Sequence, residues 1–136
     1  MRPSHHELVY PPLAKKGKRG FTGFPVVTVA FYGADDLTAT KAVAALVPAE
    51  GAEPAALERF AVAQGDARRD PNVGDAILAF CRSHGAASVL VSERIIGCPH
   101  EEGVDYPAGE RCPSCPFWHE RDRWSGERLA PPADNA

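Results

Sequence analysis

Cys98, His100, Cys112 and Cys115 stand close together in the last third of this 136-residue chain, in the pattern C-x-H-x11-C-x2-C. Three of its four cysteines fall here. Two soft ligands two residues apart can turn both sulfurs toward one point across a tight turn. Thiolates with a neutral imidazole make a tetrahedral N/S shell that suits zinc. These four residues are the predicted metal ligands, with Zn2+ the predicted cofactor and His119 the competing choice for the imidazole. Pro99, Pro107, Pro113 and Pro116 restrict the unbound segment. Metal closure then costs less entropy, and binding couples to local folding. A disulfide is the bland alternative for cysteines in a secreted chain. The opening stretch MRPSHHELVYPP is polar and proline-rich, without a secretion core, so a reducing cytoplasmic setting is expected.

Several resemblances bear on the same residues. Cys98-Pro99-His100 followed by Cys112-x2-Cys115 resembles the Rieske pattern, C-x-H then C-x2-H, which holds a [2Fe-2S] cluster for electron transfer. Cys115 stands where that family has histidine. The departure favours zinc and leaves an iron-sulfur cluster as the alternative cofactor. His100-x-Glu102 and Cys112-Pro113-Ser114-Cys115 resemble the zinc deaminase signature, H-x-E then P-C-x-x-C. That resemblance implies a small metal-dependent hydrolase or deaminase-like enzyme, with Glu101 or Glu102 as general base beside zinc-bound water. Against it, Arg111 replaces the expected proline and the gap is short. Cys98 would also fill the coordination position that water needs. The expectation is therefore a structural Cys3His site with no catalytic residue, Glu101 and Glu102 being the alternative. From about Phe21 to Trp124 the chain also resembles a group of small uncharacterised bacterial proteins. Phe31-Tyr32-Gly33 with Asp35-Asp36 carries the likeness, together with the GCPHEEGxDYPxGxxCPxCPFW loop and Arg121-Asp122-Arg123-Trp124. It implies a bacterial cytosolic protein and carries no activity.

Something must hold that loop. Val26 to Tyr32 is a β-branched and aromatic run closed by Gly33, which reads as a strand buried on both faces. A helix capped by Asp35 or Asp36 is expected next, since Ala39, Val43, Leu46 and Val47 recur at helical intervals and Pro48 stops it. Pro54 fits the first turn of a second helix carrying Leu57, Phe60 and Ala61. A third helix is capped by Asn72, with Val73, Ile77, Phe80, Cys81 and His84 on one stripe and Gly85 after it. Cys81 reads as a small buried hydrophobe, and His84 as a helix-end histidine. Ser88 to Ser92 with Ile95-Ile96 reads as a second strand, parallel to the first through a crossover. Residues 64–70 read as loop or a short edge strand.

The fold class is α/β: a small, mainly parallel sheet with two or three helices and a zinc ribbon-like C-terminal zinc-binding loop. The expected divisions are a basic proline-containing N-terminal segment (1–25), the α/β core (26–97), a zinc-binding loop packed on it (98–124) and a flexible tail (125–136). Parallel strands would place Gly33 and Cys98 at one edge, where open sheets bind ligands. Gly33, Asp35, Asp36, Glu101, Glu102 and Asp105 would then share a cleft with the loop.

Composition narrows the function classes. Twenty-two residues are alanine, and Leu, Ile, Val and Phe total only 28, so the core is thin. No apolar run reaches the roughly 18 residues of a membrane span. The net charge of -3 hides an asymmetry, because residues 1–25 carry +4 and the remainder -7. The expected function is a non-catalytic binding or regulatory module for a protein or RNA partner. That partner would be met through Lys15-Lys16-Gly17-Lys18-Arg19, or through Trp118, Arg121, Arg123 and Trp124. Otherwise the basic stretch is a solvated tail, like His5 and His6, and the aromatics cover the loop.

Overall fold

The run Val26–Tyr32 forms the first strand, β1, as its β-branched content predicts. The computed structural model describes residues 8–120. In it β1 is followed by β2 (Lys41–Val47), β3 (Ala56–Ala61), a helix over Pro71–Ser83 and β4 (Ser88–Ile95). A shorter helix, α1 (Pro11–Lys18), precedes the sheet, so the longer one is α2. The strand order is β3-β2-β1-β4. β1 pairs antiparallel with β2, β2 antiparallel with β3, and β1 parallel with β4.

The α/β class stands, but the sheet is mixed rather than mainly parallel. The first two expected helices are strands. Ala39, Val43, Leu46 and Val47 do fall at helical intervals, yet Ala42, Ala44 and Leu46 also alternate, and these are the buried positions of β2. Val27, Val29 and Phe31 pair with Leu46, Ala44 and Ala42 and share their face. An unpaired β1 would leave its backbone donors and acceptors unsatisfied, so packing overrides the local helical preference of alanine. β3 follows for the same reason: Ala56-Leu57-Glu58-Arg59-Phe60-Ala61 completes the meander through pairs such as Val43 with Arg59.

The helices cover one face. Ile77, Leu78, Phe80 and Cys81 of α2 join Val27, Val29, Phe31, Ala42, Ala44 and Leu46 in a single core. The cap of α2 is Asp70, not Asn72: its Oδ1 accepts from the Asn72 and Val73 amides at 2.8 and 3.0 Å, with Pro71 at the first helical position. Gly85 follows the helix at φ 63, as the C-terminal reading requires. His84 ends the helix, with its ring centroid 4.6 Å from that of Phe80.

The N-terminal basic segment is not simply a solvated tail. Pro11 and Pro12 begin α1, which buries Leu13 and Ala14, and Val9 is buried ahead of it. Gly17 lets α1 lie close to β4, since a Cβ there would sit 3.0 Å from Val91 Cγ2. Residues 64–70 are loop. Within them the buried Arg68 pairs with Asp66 at 2.7 Å and donates to the carbonyls of Leu37 and Glu93. It thereby ties the β1–β2 connection to β4. No helix among the described residues is long and apolar enough to cross a membrane. The expected tail 125–136 lies outside the described residues, as do His5, His6, Arg121, Arg123 and Trp124.

Candidate metal centre

Parallel pairing of β1 and β4 decides where the metal loop starts. Both strands end at the same edge of the sheet. There the Ile96 amide donates to the Phe31 carbonyl, and the Gly33 amide to the Gly97 carbonyl at 2.9 Å. Cys98 follows directly. The expected closeness of Gly33 to Cys98 is therefore present. Gly33 is required for packing: a Cβ would lie 2.1 Å from the Thr38 carbonyl oxygen.

From this edge the chain folds back and brings Cys98, His100, Cys112 and Cys115 together, their ligand atoms all within 4.8 Å of one another. His100 Nδ1 lies 3.2 Å from Cys98 Sγ, 3.4 Å from Cys112 Sγ and 3.5 Å from Cys115 Sγ. A tetrahedral ion with metal–sulfur bonds of about 2.3 Å and metal–nitrogen bonds of about 2.0 Å separates N from S by about 3.5 Å. The four side chains thus form a group that could hold a metal ion. Cys112 and Cys115 are buried and Cys98 is half-buried. The His100 amide donates to Cys98 Sγ at 3.2 Å, which favours the thiolate.

Burial, together with neighbouring Cys98 and Cys112, pushes the Cys115 thiol up to about 12. Burial also raises Cys98. Cys112 is held below the ordinary thiol range: burial opposes its ionisation, but the Ser114 amide and the adjacent cysteines outweigh it. Three sulfurs this close resist ionising together. A dication held at their centre would offset that repulsion and favour the three thiolates.

His119 does not join the group. Its Nε2–H donates to the Cys112 carbonyl at 2.7 Å. It lies on a 3-10 helix, Pro116–Glu120, and braces the backbone of a ligand instead. The same helix brings Trp118 back to the sheet, where its indole N–H donates to the Gly33 carbonyl at 2.8 Å. Phe117 packs edge-on against Trp118 with centroids 4.9 Å apart. Both ends of the loop are therefore fastened to the end of β1. We expect Trp118→Phe, which keeps the ring and loses the donor, to cost about 1 kcal/mol of stability in a denaturant titration.

Glu101 is also engaged. Lys41 Nζ bonds its carboxylate at 2.6 Å and the Pro99 carbonyl at 2.9 Å. Arg59 clamps it through Nε and through Nη2, the latter at 2.9 Å. Hydrogen bonds from Arg59 and then Lys41 hold Glu101 down to about 2. Such a carboxylate is a poor general base near neutral pH. Its partners come from β2 and β3, so the loop is pinned to both of these strands. The folded value lies below the ordinary 4.5, so this stabilisation is complete above about pH 4.5 and is lost as pH falls toward about 2. In chelator, to keep metal out of the comparison, the stability gap between the native chain and Glu101→Gln should close across that window. An equal gap at pH 2 and pH 7 would assign the stabilisation elsewhere.

Glu102 accepts the Gly109 amide at 2.5 Å, and Asp105 accepts the Glu101 amide at 2.7 Å. Both spend their carboxylates shaping the loop. Asp35 accepts the Leu37 and Thr38 amides at 2.9 and 3.4 Å, ordering the β1–β2 connection rather than capping a helix. The expected acidic cleft is accordingly different in make-up. A cleft of about 290 Å³ does adjoin the site, lined by Cys98, His100, Glu101 and Glu102 on the loop and by Tyr32, Lys41 and Arg59 from the sheet among others. Gly33, Asp35, Asp36 and Asp105 do not line it. Lys41 and Arg59 are the site residues that sequence reasoning missed. Lys41 is signalled by the outward alternation of Lys41, Val43 and Ala45, visible once β2 is known to be a strand, and Arg59 by its pairing with Val43. No family model, curated protein or solved structure matches the chain, so its chemistry rests on the geometry of this site.

Proposed function

We propose that the protein is a small zinc-binding module in which Cys98, His100, Cys112 and Cys115 hold one Zn2+ as a structural ion. The observation that carries the reading is one imidazole nitrogen within 3.2 to 3.5 Å of all three sulfurs. A cage of that size fits a single ion. A two-iron cluster divides its ligands between two metals, which four atoms this close do not favour. Four protein ligands leave no position for an activated water. Glu101 in its Lys41–Arg59 clamp and Glu102 on the Gly109 amide are likewise poorly placed to serve one. The zinc fixes a proline-rich segment that has few large apolar side chains of its own. Its role is to present that segment and the adjoining cleft as a rigid surface, which supports a non-catalytic binding module over an enzyme.

The test is metal content after purification without added metal. A colourless protein carrying one zinc per chain supports the reading. Brown colour with stoichiometric iron and sulfide replaces it with electron transfer. A chain that takes up no zinc at micromolar concentration removes it altogether.

A further inference from the structure

At the end of the sheet opposite the metal loop, cations and exposed aromatic rings gather. α1 and α2 run side by side in the same direction. Near their starts the Tyr10 ring lies against Gly74, where a Cβ would come within 2.1 Å of it. Near their ends Lys16 and Arg82 both lie close to the buried Cys81 thiol; burial raises it and these two cations partly offset the rise. The following loop is fastened to the same end, because the Thr22 amide donates to Ser88 Oγ and its hydroxyl to the Ala87 carbonyl, each at 2.7 Å. Lys15, Lys16, Lys18, Arg19 and Arg82 therefore share one end of the molecule. Residues 11–34 and 76–92, which supply them, contain no aspartate or glutamate. None of the five pairs with a carboxylate among the described residues.

Two rings stand beside these charges. Phe21 is 58% exposed and Phe24 38%, and they meet edge-on with centroids 5.2 Å apart. Neither belongs to the core. Helix dipoles favour basic residues in a last turn. That accounts for Lys15, Lys16, Lys18 and Arg82, and for Arg19 at the cap of α1, but not for two phenyl rings left in water. The opposing acids are few: Glu93 shares a small groove with Lys18, and Glu50 and Glu53 lie in the β2–β3 turn.

We propose that this end of the protein binds single-stranded nucleic acid. Phosphates would meet the Lys15–Arg19 stretch and Arg82, while unpaired bases stack on Phe21 and Phe24. Stacking on aromatic rings tolerates any base and needs an open π face, which a single strand offers and a duplex does not. An acidic peptide brings charge without regular planar groups. A lipid surface calls for a continuous apolar stripe, and α1 turns its apolar residues, Leu13 and Ala14, into the core. The surface does not include the metal loop, so it stands or falls apart from the zinc reading.

The experiment is fluorescence anisotropy of the full chain with a labelled 12-nucleotide oligouridylate, with metal content measured on the same samples. If five phosphates are engaged, affinity falls about 100-fold between 50 and 200 mM salt. Phe21→Ala with Phe24→Ala should weaken binding at least about 5-fold at fixed salt and leave the salt slope unchanged. Lys16→Gln with Lys18→Gln and Arg19→Gln should reduce the slope by about 2. All five of these side chains are exposed, so the variants are expected to fold. No binding at 50 mM salt overturns the proposal. So does an aromatic variant that binds like the native chain, which would reduce the surface to charge alone. Tighter binding to phosphatidylserine vesicles than to the oligonucleotide also overturns it and assigns the patch to a membrane. Zinc-free protein that still binds RNA leaves this proposal intact, and zinc uptake decides the metal reading separately.

Discussion

Cys115→Ser is expected to abolish stoichiometric zinc binding and to free the segment from residue 98 to residue 118 while the sheet persists. Cys115 is the most buried of the four candidate ligands, at 2% exposure. Its thiol resists ionising without a cation, because burial and two neighbouring cysteines oppose it. Serine offers a poorer ligand in the same buried place. Loss of a supporting group around a metal costs about 10 to 100-fold in affinity, and loss of a ligand should exceed that. Competition against a chelator measures the affinity. Hydrogen exchange measures the order of the loop, with amides of β1 and β4 as the internal control. Wild-type zinc affinity in this variant would show that Cys115 is not a ligand. Unchanged protection of the loop would show that the Lys41–Glu101–Arg59 clamp and Trp118 hold it without metal.

Phe31→Ala should remove about 3–5 kcal/mol of stability, a large part of the 5–15 kcal/mol that a domain commonly has. Phe31 is fully buried. Its cross-strand neighbours are Ala42 on β2 and Ile95 on β4. The alanine cannot grow into the space, so a cavity remains. The position also matters for the site, because the Phe31 carbonyl accepts the Ile96 amide just before the loop departs. Equilibrium denaturation with and without zinc tests both points. The loss should appear in both series, and zinc should still be bound by the folded fraction. A loss below about 1 kcal/mol would place Phe31 outside the core.

The clustering of Cys98, His100, Cys112 and Cys115 and the strands β1 and β4 were legible because their signals are local. A two-residue cysteine spacing and an unbroken β-branched run each stand out within a few residues. β2 was not legible, because alanine marks neither a strand nor a helix by hydrophobicity, and Ala42 and Ala44 are the buried positions. Only the need of β1 for a partner decides it. α1 was hidden by Pro11, Pro12 and Gly17, which break helices in general. Here the prolines sit in the first turn, and the glycine allows close contact with Val91. The Glu101 clamp was out of reach for a different reason. Lys41 and Arg59 lie 60 and 42 residues from Glu101 in sequence, and strand register alone brings them together.

These features make one arrangement. Parallel pairing of β1 with β4 sets the start of the loop, the Trp118 indole fastens its end to the same edge, and Lys41 with Arg59 pins its middle. Cys98, His100, Cys112 and Cys115 meet beside these fastenings. With three thiolates and one divalent ion bound there, as proposed, the centre would carry a net charge of -1, close to the two cations that clamp Glu101.

X-ray absorption at the zinc edge tests this most directly. The account predicts three sulfur neighbours at about 2.3 Å and one nitrogen at about 2.0 Å, with no oxygen. A shell with only two sulfurs, or with a water oxygen in the fourth position, would contradict a closed structural site and return the protein to the catalytic alternatives.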